Sequence, residues 1–219
     1  MKKIISRIIS LPKTLFINLK CFNFFDAIKL PILVKYDVKI RGLNKKTFKY
    51  NGPIKYGAIK FGYGGSEYVS AGKSIIDIRK GRIIVNGYCH LSSGCSIFIN
   101  NGTVIVGNNF YANRNLMIQS ENTIYFDDDV LIGWNVSIRD TDGHEIIYKE
   151  KNKNTNYDVI IGKHVWIASD AIILKKTKIN KNSVIGCRAF VSGYSSTNNG
   201  ELIAGVPAKC IKKIINWKE

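Results

Sequence analysis

Aliphatic residues recur every six positions through the C-terminal part of the chain, at Ile161, Ile167, Ile173, Ile179, Ile185 and Val191, without a break. Shorter runs keep the same step upstream, at Val85, Leu91 and Ile97, at Val106, Ala112 and Ile118, and at Phe126, Ile132 and Ile138. Four residues after the first five members of the long series stand Val165, Ala171, Thr177, Ser183 and Ala189, all small or β-branched, and Gly162, Ala168 and Gly186 directly follow three of them. Six residues of α-helix turn through about 600°, so successive members of the series would share no helix face. A plain strand permits the step but does not account for the small residue at a fixed offset. What satisfies both is a chain that turns once every six residues, in short strands joined by tight corners and stacked coil on coil with the aliphatic side chain inward. The pattern predicts a mainly β chain, a parallel β-helix of hexapeptide repeats. Cys89 and Cys95 fall in the small-residue slot and are expected as compact core thiols.

Outside the repeat the informative quantity is charge. The 219 residues are 45% hydrophobic and 22% charged, enough for a real core and incompatible with wholesale disorder. The net charge is +17, and residues 1–50 contribute 12 Lys+Arg against 2 Asp+Glu. In that arm Ile4, Ile8, Leu11, Leu15, Leu19 and Phe22 recur at helical spacing, with Lys2, Lys3, Arg7, Lys13 and Lys20 between them. Such a basic amphipathic helix either lies on an anionic membrane surface or packs on the body of the protein with its lysines solvated. Nothing approaches the roughly 18 uncharged apolar residues of a membrane span, and Arg7 interrupts any secretory apolar core. The expectation is a cytoplasmic protein with peripheral contact at the inner face of the membrane, and nucleic acid is not among the expected partners.

Cys21, Cys89, Cys95, Cys187 and Cys210 form no C-x-x-C pair, and His90, His144 and His164 are too scattered for a zinc-finger or HExxH pattern. No metal is expected. Ala71-Gly72-Lys73-Ser74 lacks the glycine five residues before Gly72 that a phosphate loop requires, since Glu67 stands there.

The repeats, together with Asn108-Asn109-Phe110-Tyr111-Ala112-Asn113, Gly143-His144, Val165-Trp166-Ile167 and Gly205-Val206-Pro207-Ala208-Lys209, resemble the hexapeptide-repeat acyltransferases, in the branch containing galactoside, maltose and polysaccharide O-acetyltransferases. The likeness covers roughly residues 80 to 215. It implies a left-handed β-helix of triangular cross-section, a homotrimer, acetyl-CoA held between neighbouring subunits and a saccharide acceptor. Residues 1–50 are then a basic arm, 51–80 irregular first coils and 81–215 the β-helix domain. The six-step halts after Ile138 and resumes at Ile161, so residues 139–160 leave the coil as a loop.

Acyl transfer from a thioester to an alcohol needs a base, and a histidine with an ordinary pKa near 6.5 suits the task. The resemblance puts His144 in that role, with Asp140 or Asp142 available to orient the ring. It also implies donor contacts from Trp166, Ser169, Cys187, Ser192, Lys209 and Lys212, with the Ser169 amide near the thioester carbonyl, and acceptor contacts from Asn113, Glu121 and Asp142. His90 and His164, inside repeats, are expected to be structural. Lys176, Ala168 and Cys187-Arg188 stand where the family has glycine or small residues. Two other functions remain open at this stage: acetylation of a small soluble sugar or antibiotic, and a non-transferase β-helix such as a γ-class carbonic anhydrase.

Overall fold

The computed structural model describes residues 2–144, 157–214 and 216–218. Residues 145–156 of the loop expected at 139–160 lie outside the described residues. The six-residue step resolves into three ladders of inward side chains. Ala112, Ile132, Ile167, Ile185 and Ile203 are register partners on one face. Ile118, Ile138, Ile173 and Val191 stack on the second, and Val106, Phe126, Ile161 and Ile179 on the third. Every third member of the series therefore returns to the same face, one coil higher, in parallel strands. All these side chains are buried and form one continuous core. The fold is a three-faced parallel β-helix whose later coils take 18 residues each, as the steps from Ile167 to Ile185 to Ile203 show.

Each corner requires a residue that turns the chain, and the backbone shows which. Three residues after an inward aliphatic, Asn109, Asn115, Asp129, Asn135, His164, Asp170, Lys176, Asn182 and Arg188 all have φ between 53° and 64°. Asn and Asp tolerate this left-handed conformation; Lys176 and Arg188 occupy it at a cost that glycine would avoid. Cys21, Cys89 and Cys95 are buried, and burial pushes each thiol up to about 12, so they are inert packing groups.

The prism begins earlier than the sequence suggests. Its first coil starts at strand β1 (Ile32–Val34), inside the stretch expected to be an arm, and pairs in parallel with Ile59–Phe61. The step is hidden there because corners lengthen: 13 residues separate Ile59–Phe61 from the next strand, Ile75–Val85. The arm proper is helix α1 (Lys2–Cys21), followed by one turn, α2 (Phe24–Ala27).

Helix α1 lies across the open edge of β1. The amide of Ile32 donates to Asn18 Oδ1 at 3.0 Å and Asn18 Nδ2 donates to the Ile32 carbonyl at 2.7 Å. The Val34 amide donates to Thr14 Oγ1 at 3.1 Å, and that hydroxyl donates back to the Val34 carbonyl. Ser10 Oγ accepts from the Tyr36 amide at 3.0 Å. A polar stripe at i, i+4 and i+8 thus replaces the missing neighbouring strand and closes the prism at this end. At the other end Glu201–Gly205 is covered by the antiparallel strand Ala208–Lys213.

Candidate active site

Outward-facing residues of the first face form a ladder in strand register: Tyr111, Leu131, Trp166, Val184 and Leu202. Where these strands end, the first corner of the prism carries Gly133, Ala168, Ser169, Gly186 and Cys187. Ladder and corner together line an open, largely apolar groove of about 510 Å³, with Asn113, Trp134 and Asp170 at its margin. Of the residues expected at the donor, Trp166, Ser169 and Cys187 therefore share one groove. The Ser169 amide makes no hydrogen bond within the described residues, although the amides on either side do: Ala168 donates to Ile185 at 2.8 Å and Asp170 to Trp134 at 2.9 Å. Facing it is Gly133, where a Cβ would lie 2.7 Å from that amide nitrogen. An uncovered N–H at the floor of an apolar groove can stabilise a developing oxyanion.

Ser192, Lys209 and Lys212 do not line this groove. Ser192 follows Phe190–Val191 on the second corner. Lys209 and Lys212 are exposed on the closing strand, Lys212 opposite Leu202 of the groove wall. Trp217, which the sequence did not single out, folds back so that its ring stacks on His164 at 4.2 Å and lies 6.1 Å from Trp166. Its indole N–H donates to the His164 carbonyl at 2.8 Å. His164 is accordingly structural. So is His90, whose ring meets the Tyr63 carbonyl at 2.6 Å and whose pKa burial pushes below the ordinary histidine value.

The second corner carries His144, which is exposed at the end of the segment Thr141-Asp142-Gly143-His144. The base of this segment is fixed tightly. Asp140 is buried; its Oδ1 accepts from the Glu121 amide at 2.7 Å, and its Oδ2 from Ser120 Oγ at 2.7 Å and the Asn122 amide at 3.0 Å. Burial pushes its carboxyl above the ordinary range despite these three donors. The Tyr157 amide donates to the Asp140 carbonyl at 3.1 Å, drawing the two ends of the excursion together. Asp140 thus holds the coil turn beneath the loop, and Asp142 is ion-paired with Lys175 from the next coil. Both carboxylates offered as orienting groups for the ring have these other partners.

Beneath the segment lies a polar cavity of about 300 Å³ lined by Asp77, Arg79, Phe98, Asn100, Gln119 and Glu121. Thr141 Oγ1 donates to Glu121 Oε2 at 3.1 Å, joining cavity and loop. Asp77, Phe98, Gln119 and Arg139 are successive partners in the outward ladder of the second face. Of the expected acceptor residues only Glu121 lines this cavity. Asn113 is on the first corner, where its Oδ1 accepts from the Ser66 amide at 2.7 Å and the Arg114 amide at 2.9 Å, so it caps a turn. Within one chain, then, His144 and Glu121 occupy one corner of the triangle, and the groove with Trp166, Ser169 and Cys187 another. Among the described residues no group of three or more His, Cys, Asp or Glu side chains could hold a metal ion.

The chain is 37% identical over 111 residues to galactoside O-acetyltransferase of Escherichia coli (strain K12), covering 50% of this chain and 53% of that one. It is 29% identical over 122 residues to the putative lipopolysaccharide biosynthesis O-acetyl transferase WbbJ of the same organism, covering 51% and 61%. A longer match, 27% over 190 residues, covers 87% of this chain and 82% of an uncharacterized 24.8 kDa protein in the cps region of Klebsiella pneumoniae. The chain spans about half the length of the first of these relatives. A solved galactoside acetyltransferase in complex with coenzyme A superimposes with a TM-score of 0.47 at 22% identity, covering 96% of this chain and 81% of that one. No family model matches the chain. The repeat region that builds the three-faced prism is thus similar in sequence to proteins named as galactoside, lipopolysaccharide and polysialic acid O-acetyltransferases.

Proposed function

We propose that this protein is an acetyl-CoA-dependent O-acetyltransferase acting on a saccharide hydroxyl, in a surface polysaccharide or its lipid-linked precursor. The observation that carries the proposal is the apolar groove, with an uncovered Ser169 amide at its floor and the Trp166 ring along its wall. Acetyl-CoA lies along this groove in the proposal, its thioester carbonyl toward the Ser169 N–H. The acceptor occupies the polar cavity beside Glu121, where carboxylates, amides and the Phe98 ring suit a sugar's hydroxyls and apolar ring face. His144 takes the proton from the attacking hydroxyl as oxygen bonds to the thioester carbon. The tetrahedral oxyanion collapses, the C–S bond breaks, and the proton passes to the CoA sulfur.

Groove and histidine stand on different corners of one prism, so direct transfer requires a second copy that presents its His144 corner to the first copy's groove. A cyclic homotrimer supplies three equivalent sites of this kind. Kinship with enzymes named for galactoside, lipopolysaccharide and polysialic acid supports a saccharide acceptor. The test is acetyl transfer from acetyl-CoA to capsule or lipopolysaccharide oligosaccharides by wild type, by His144→Ala, by Ser169→Pro, which removes the amide N–H, and by a mixture of the two variants. Each variant alone is expected to lose about 10²–10⁴-fold in rate. Co-refolded mixtures regain a fraction, because some interfaces pair an intact groove with an intact histidine. Full activity of His144→Ala, or no regain in the mixture, would overturn the assignment.

A further inference from the structure

Helix α1 is inside out. The stripe that meets the prism is Ser10, Thr14, Ile17, Asn18 and Cys21, largely polar, and it is consumed in capping β1. The opposite side is apolar and open: Ile4 and Ile8 are each 65% exposed, Ile9 55% and Phe16 56%. At 100° per residue, Ile5, Ile8, Ile9, Leu15, Phe16 and Leu19 fall within an outward arc of about 160° that contains no charged side chain. Phe24 and Phe25 of α2 extend the ridge, with Phe25 75% exposed. A cap designed only to close the prism would show water the reverse pattern. A contiguous apolar surface of this length on a folded chain marks a contact.

What covers it follows from position and charge. Because α1 binds the free edge of the first strand, its outward side is the end of the prism, not a flank that a neighbour packed side by side would cover. The helix carries no Asp or Glu; Lys20 borders the arc with its ammonium 4.5 Å from the Phe16 ring centroid, while Lys13 donates to the Tyr36 and Val38 carbonyls of the body at 2.7 Å each. Arg7 lines, with Lys35, Lys60 and His90, a second cavity of about 400 Å³ between the helix and the first face. Pairing two such helices would bring like charges together. A lipid surface of opposite sign neutralises them while the ridge enters its acyl boundary. No described helix is long and apolar enough to cross a membrane. We infer that the α1–α2 ridge is a monotopic docking surface that seats the end of the prism in an anionic bilayer, with the active-site corners directed along that surface's normal.

The inference is independent of the transfer chemistry, since vesicle binding needs neither donor nor acceptor. The full chain is to be floated with phosphatidylcholine vesicles with and without phosphatidylglycerol, over a salt series. Binding is expected only with the anionic lipid, weakening as salt rises. The Ile8→Glu, Phe16→Glu double variant is expected to bind at least about tenfold more weakly, while Tyr68→Glu on a remote exposed loop binds as wild type. A lipid-phase photolabel, mapped on the unaltered protein, is expected on residues of 2–28. No flotation of wild type, equal flotation of the double variant, or labelling confined to other segments overturns the inference. So does a fall in the sedimentation mass of the double variant with no vesicle binding by wild type, which would assign the ridge to a second copy of the chain.

Discussion

Gly133 and Ser169 face each other across the first corner, one coil apart. A Cβ on Gly133 would lie 2.7 Å from the Ser169 amide nitrogen and 2.8 Å from its Oγ. The glycine therefore leaves that N–H accessible from the groove. Gly133→Ala is expected to cover it and to lower kcat by about 10²-fold, the usual effect of losing one oxyanion donor. Gly107→Ala is the matched control: its Cβ would lie 2.4 Å from the Asp127 carbonyl carbon, a worse clash, but on the third corner. Thermal melts should show both variants destabilised, and steady-state kinetics should show a large selective loss of kcat in Gly133→Ala alone.

Cys187 is exposed in the same groove as Trp166. If the pantetheine arm lies there, ligand must shield the thiol. Coenzyme A at ten times its Kd is expected to slow alkylation of Cys187 by about tenfold, as read by peptide mass spectrometry, and to alter Trp fluorescence. ADP, which has no pantetheine arm, should leave the rate unchanged.

How much of this was legible in the sequence depends on the physical origin of each feature. The coils after Val85 were, because every face must be filled from within and that demand repeats in register; six of the nine corner residues at positive φ could also have been found, as Asn or Asp three places after an inward side chain, but His164, Lys176 and Arg188 could not. The first coils were not, because the corner between Phe61 and Ile75 is long enough to break the step. The inward side of α1 was misjudged for a different reason. Ser10, Thr14 and Asn18 bond to strand backbone, and backbone leaves no trace in side-chain periodicity. At the candidate site, Trp166, Ser169 and Cys187 share a groove because Trp166 and Ser169 stand three residues apart on one coil and Cys187 follows Ser169 by the 18 residues of the next. Asp77, Arg79, Asn100 and Gln119 were overlooked because they come from three coils whose lengths differ, and Asp142's partner Lys175 is 33 residues away.

The capping role of α1 makes Asn18 a strong stability determinant. Its amide satisfies both the N–H and the C=O of Ile32 in a buried setting. Asn18→Ala is expected to cost about 2–4 kcal/mol, since it leaves two buried backbone groups without partners. Urea denaturation should show this as a lower midpoint. Leu19→Ala, one residue along on the exposed side, should change the midpoint little.

Two buried carboxylates should give opposite pH signatures. Burial raises Asp140 above its ordinary value of 3.8, so the folded state binds its proton more readily than the unfolded one. Its contribution is greatest below the unfolded pKa and is lost as pH rises through the folded pKa. Burial also acts to raise Glu201, but donors from the Asn198 amide, the Tyr194 hydroxyl and Thr197 together outweigh it and leave the group below 4.5. Its contribution is present above the unfolded pKa and lost as pH falls through the folded value. The stability gap between wild type and Asp140→Asn should therefore narrow as pH rises from 4 toward neutrality, whereas the gap for Glu201→Gln should widen from the acid end to a plateau. Each gap at neutral pH is expected to be about 1–3 kcal/mol, because either amide supplies one acceptor oxygen where the carboxylate supplied two. Denaturant midpoints measured for the three proteins across that range decide both signs, and parallel gaps for the two variants would refute the assignment.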